Sequence, residues 1–112
     1  MPRLTAAVAP NQQSLAIAEE FARLADRWRE ETAHLSVMWQ IAMHPAYQRI
    51  IGMGRDALPL IFARLRREPD PWFWALEFIT GEDPVPRLEK GDSEAEARRW
   101  LDWAKARHQL QD

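Results

Sequence analysis

Helix-breaking punctuation constrains this chain more than any other feature. From His44 onward, proline and glycine recur at short intervals: Pro45, "GMG" at residues 52–54, Pro59, "EPDP" ending at Pro71, Gly81, and then "EDPVPRLEKGD". Proline lacks a backbone donor and clashes inside a helix, and it biases the residue before it away from helical geometry. Glycine favours the left-handed turn in which many helices end. Any regular element in this part of the chain must therefore be short.

Between the breaks, apolar residues return every three or four positions. In "RDALPLIFARLRRE", Leu58, Ile61, Phe62 and Leu65 share one face, while Asp56, Arg64, Arg66 and Arg67 spread over the other. Upstream, Leu15, Ala18, Phe21, Ala22, Ala25 and Trp28 form a similar stripe. That period belongs to amphipathic helices. No segment alternates apolar and polar residues long enough to suggest a strand. The expected fold is all-α, a compact helical bundle. A chain of 112 residues, 46% hydrophobic and 29% charged, is the size and composition for one such core.

Local chemistry places the boundaries. Residues 1–13 hold two prolines among small and polar residues, which predicts a flexible arm, with residues 14–112 as a single helical domain and Ser14 as an N-cap. "SVMWQIAM" reads as a short helix closed by His44-Pro45, and "PAYQRII" as another with Pro45 in its first turn. Asp70 is the expected N-cap of "DPWFWALEFITG", Pro71 its first helical residue and Gly81 its C-terminal cap. Ser93 and Glu96 have capping-box spacing before a last helix from Glu94 to about Gln109, which carries Ala97, Trp100, Leu101, Ala104 and His108 on one side. The expected core comprises Phe21, Trp28, Leu58, Ile61, Phe62, Leu65, Trp72, Leu76, Ile79, Trp100 and Leu101.

"GMGRDALPLIFARLRREPDPWFWALEFITG" resembles a HEAT-type helical pair, with a glycine turn, an "ALPLI" helix, a proline-bearing loop and a second helix. HEAT-like pairs stack into protein-binding surfaces, so the resemblance implies a protein partner. "HPAYQRIIGMG", "ALPLI", "WFWAL", "ITGEDPV" and "WLDW" together resemble a family of small bacterial proteins, a signature nearly silent on chemistry.

Several function classes find no support. There is no cysteine, which removes disulfides, thiol nucleophiles and thiolate zinc sites. His34, His44 and His108 lack metal-ligand spacing, and "GMG" follows no strand and precedes no lysine. No catalytic residue, metal or cofactor is expected. A net charge of −2 supplies no field for nucleic acid or anionic membrane, and no apolar run suits a leader or a membrane span, so a cytoplasmic protein is expected.

Surfaces must then carry the function. Trp74 and Phe78 lie four apart, on the opposite side of their helix from Trp72, Leu76 and Ile79. Two readings stay open: burial of the whole aromatic set, or an exposed Trp74/Phe78 stripe that binds another protein or a second copy of the chain. Trp103, at the flank of the last helix, joins this candidate protein-binding set. The expected role is a protein–protein interaction protein, an adaptor or an antitoxin-like neutralising subunit. The alternative is a nucleic-acid-binding module built on Arg49, Arg55, Arg64, Arg66 and Arg67, a stretch whose local charge is +4.

Overall fold

In the longest element, α1 at Pro2–Thr32, the buried side chains among those described lie between Phe21 and Thr32. In the computed structural model of the chain, residues 2–68 and 70–107 are described, residues 2–11 by their backbone alone. The side chains of residues 12–16 are exposed, and the first buried one among those described is Phe21, followed by Leu24, Ala25 and Trp28. At a rise of 1.5 Å per residue, 31 helical residues span about 46 Å, most of the 56 Å long axis of the molecule.

The helix takes in residues 2–13, for which a loose arm is expected, and Ser14 lies inside it instead of capping it. Proline weighs less here than the expectation assumes. Pro2 occupies the helix start, where its missing donor is not needed, and the alanines between them favour the helix. Only Pro10 forfeits an intrahelical bond.

Five further helices follow: α2 at Met38–Ala42, α3 at Pro45–Gly52, α4 at Leu58–Arg67, α5 at Phe73–Thr80 and α6 at Ser93–Ala106. Short 3-10 turns at Gly54–Ala57 and Arg87–Glu89 precede α4 and α6. Among the described residues there is no strand, and the fold is an all-α helical bundle. Helix α3 packs between α1 and α5, and α4 packs on α6.

An aromatic cluster joins α1, α3 and the entrance to α5. The Trp28 ring centroid lies 4.9 Å from that of Tyr47 and 4.6 Å from that of Trp72, and Phe21 stacks on Trp72 at 5.6 Å. Trp28 Nε1 donates to the Ile41 carbonyl at 2.9 Å, fastening α2 to α1. Of the expected core, Ile79 and Leu101 are half-buried against the cluster and the other nine residues are buried. Tyr47, Leu24 and Phe73 join them, outside that expectation.

Helix ends show where local chemistry settled. His44 caps α3, its Nδ1 accepting from the Ala46 N–H at 3.0 Å, which leaves Nε2 to donate to Glu31 Oε1 at 2.7 Å. Asp92, one residue before the expected Ser93, caps α6 by accepting from the Ala95 N–H at 3.1 Å. The expected Ser93–Glu96 capping box does not form: with Asp92 as the cap, the Glu96 carboxylate accepts instead from the Gly91 N–H at 3.3 Å, one residue before the cap. The helix is described to Ala106; Gln109 and His108 lie outside the described residues.

Candidate protein-binding site

The candidate site is the outer side of α5, and a residue from α3 sets that helix in place. The expected Asp70 cap does not form: α5 begins at Phe73, and the Asp70 carboxylate pairs with Arg29, which also meets Glu68 at 3.1 Å. Burial raises the Asp70 carboxyl above its ordinary value, and Arg29 opposes that rise. The first N–H groups of a helix still need acceptors. Tyr47 supplies one, its hydroxyl accepting from the Ala75 N–H at 3.0 Å while donating to the Pro71 carbonyl at 2.9 Å. Burial pushes the Tyr47 hydroxyl pKa up, so the donor proton stays in place. A distant tyrosine does the work expected of a local aspartate.

The far end of α5 matches the sequence. Gly81 has φ +73°, a left-handed conformation open to glycine, and its N–H donates to the Glu77 carbonyl at 2.8 Å. Thr80 Oγ1 donates to the Leu76 carbonyl at 2.7 Å and accepts from the Glu82 N–H at 3.1 Å, which orients the chain leaving the helix.

Between these ends the helix divides. Trp72, Phe73, Ala75 and Leu76 are buried, whereas Trp74 is half-buried and Phe78 is 68% exposed. The Trp74 and Phe78 rings meet edge to face, centroids 6.4 Å apart at 74°. A groove of about 510 Å³ runs beside them, lined by Trp74, Glu77, Phe78, Gly81, Glu82 and Asp83. Across Trp74 a second hollow of about 650 Å³ reaches Met38, Phe73 and Lys90, so Trp74 and Glu77 border both.

Carboxylates rim the groove. Lys90 Nζ lies 2.6 Å from Asp83 Oδ2 and 3.7 Å from Glu77 Oε2. The hydrogen bond from Lys90 holds the Asp83 carboxyl below its ordinary value, and Asp83 in turn raises Lys90. Glu77 moves the other way, raised first by burial and then by the Asp83 charge. Glu82 Oε1 accepts from Trp103 Nε1 at 3.0 Å and from Arg107 at 3.2 Å.

Trp103, expected to share the binding surface, is instead 7% exposed. It packs on Trp100 and Phe62 with the Arg107 guanidinium over its ring, because α6 closes over α4 at this position. Its link to the groove is indirect, through Glu82. The structure thus brings Trp74 and Phe78 together and leaves Trp103 behind them.

The arginines do not form one open cationic surface. Arg49 pairs with Glu20 at 3.3 Å and Arg64 with Asp26 at 3.0 Å, both acids belonging to α1. Arg64 also lies over the Phe21 ring at 5.8 Å. Arg55, Arg66 and Arg67 are exposed, the last two on a surface that also carries Glu68, Glu94 and Asp102.

No family model, curated protein or solved structure matches the chain. The site therefore has to be read from its own chemistry. Among the described residues no group of three or more His, Cys, Asp or Glu side chains is placed to hold a metal ion, and no helix is long and apolar enough to cross a membrane.

Two features escaped the sequence reading. Tyr47 was legible in part, since Ala46, Tyr47 and Ile50 share a face of α3; the destination of its hydroxyl was not. Trp39 and Met43, one turn apart at α2, are both more than half exposed and make a second apolar area. A five-residue helix covers little, and its buried side is taken by Ala42 with Met38 and Ile41 packed beside it.

Proposed function

We propose that this chain is a non-catalytic protein–protein interaction protein whose α5 outer face seats a segment of another protein, acting in the cytoplasm as an adaptor or as the neutralising half of a two-protein module. The observation that carries this reading is Phe78, a large ring exposed in a helix whose opposite side buries Trp72 and Leu76. Burying a phenylalanine side chain is worth about 1.5–3 kcal/mol, and that energy is still available on this face. Aromatic residues are enriched at the centres of protein interfaces, and Trp74 already holds one wall in place. The pairing of Arg49 and Arg64 with α1 acids weighs against the nucleic-acid alternative, because phosphate binding would have to displace those partners.

The test compares immobilised wild-type protein with Phe78→Ala. A protein retained by the first, released by the second and rebound in purified form supports the reading. Retention of the same set by both would remove α5 as the binding element. Fluorescent DNA and RNA titrated at two salt concentrations check the alternative, for which steep salt-sensitive binding is the required result.

A further inference from the structure

The groove beside Trp74 and Phe78 has a one-sided charge. Glu77, Glu82 and Asp83 line it, and among the described residues no lysine or arginine does. Their cationic partners, Lys90 and Arg107, lie outside the lining and are two against three carboxylates. Its volume of about 510 Å³ falls within the range of roughly 300–1,000 Å³ found for ligand clefts. An apolar floor with an acidic rim selects an occupant of the complementary kind.

We infer that the occupant is a segment of a foreign protein carrying a bulky apolar side chain flanked by lysine or arginine, and not a second copy of this chain paired about a two-fold axis. The inference rests on the protein-binding reading above and gives the partner its chemistry. A two-fold interface sets the same patch of both copies face to face. Here the three rim carboxylates outnumber their two cationic partners, so a two-fold pairing would bring together two surfaces of the same net sign, which disfavours it. Glu77, already raised by burial and by Asp83, would be disfavoured further by an approaching anion and relieved by a cation. The ring of Phe78 supplies affinity and the rim supplies selection.

Panning a random displayed peptide library on the full-length protein, with counter-selection on Phe78→Ala, tests both layers. The expected winners depend on Phe78, carry an apolar anchor and have net positive charge. A synthetic peptide made from them should bind at least about tenfold more tightly than its version with glutamate in place of the basic residues. Glu82→Gln keeps an acceptor for Trp103 while removing a rim charge, and should weaken the basic peptide about 2- to 5-fold. Phe78-dependent winners that are neutral or acidic, or unchanged affinity in Glu82→Gln, would overturn the charge selection and leave the apolar seat standing. Absence of any Phe78-dependent winner would overturn both. A dimer in sedimentation equilibrium that Phe78→Ala abolishes would replace the foreign segment with self-association.

Discussion

The two sides of α5 have nearly the same composition and opposite surroundings. Trp72 packs on Phe21 and Trp28 of α1 and on Tyr47 of α3, and Phe73 and Leu76 are buried, while Trp74 and Phe78, only two residues away, border an acidic groove. Aromatic content alone therefore says little about role. What separates the sides is coverage: the bundle has α3 to lay against one side of α5, and no described helix lies over Phe78.

The strongest way to break this comparison is to delete the buried side. Trp72→Ala should destabilise the protein by about 3–5 kcal/mol, read by urea unfolding, because it opens a void among Phe21, Trp28 and Tyr47. Trp72→Phe should cost less. It keeps a ring in place and removes an indole N–H that is buried without a partner among the described residues. Equal losses in the two variants would mean that ring volume is not what holds this cluster.

Tyr47→Phe comes next in size, at about 1–3 kcal/mol, since it leaves the Ala75 N–H and the Pro71 carbonyl without their partner. It sharpens the comparison because Tyr47 fixes the start of the whole helix. Hydrogen exchange at Ala75 should accelerate in step with the loss of stability. An unchanged Ala75 amide would show that the tyrosine hydroxyl does not hold α5.

How much of this arrangement can be read from sequence depends on the reach of the interactions. The three-and-four spacing of Leu58, Ile61, Phe62 and Leu65 forecasts their burial, because one packed stripe is all that an amphipathic helix needs. Gly81 is equally legible, since a helix end is a local event. Asp70 shows the limit: its sequence suits a cap, but Arg29, 41 positions away, competes for the carboxylate, and Tyr47 takes over the capping. The two candidate stripes of α5 can be drawn from spacing alone, whereas deciding which is covered requires knowing where α3 lies. Trp103 fails for the same reason, because its burial depends on the pairing of α6 with α4.

A smaller effect probes the cap that opens the last helix. Asp92→Ala should cost about 0.5–2 kcal/mol by removing the acceptor for the Ala95 N–H. It should leave Phe78-dependent binding intact, which a thermal melt and a peptide titration on the same sample would establish.

The smallest effect belongs to the ion pairs around the groove. Lys90→Gln removes contacts to Asp83 and Glu77, both partly exposed, and should change stability by only about 0.2–1 kcal/mol, less at high salt. The sign with pH follows from the shifts. Asp83 lies below its ordinary 3.8 in the folded protein, so its contribution is complete above that value and is lost as pH falls through the lowered one. Glu77 lies above its ordinary 4.5, so the fold loses stability as pH rises from 4.5 through the raised value. Acid titration of wild type and Lys90→Gln should show the Asp83 contribution shrinking in the variant.

The division of α5 into a folding side and a binding side is tested most directly by the unfolding free energy of Phe78→Ala. A ring that is mostly in water contributes little to the folded state, so the value should stay within about 0.5 kcal/mol of wild type. A loss approaching that of Trp72→Ala would place Phe78 in the core and contradict the account.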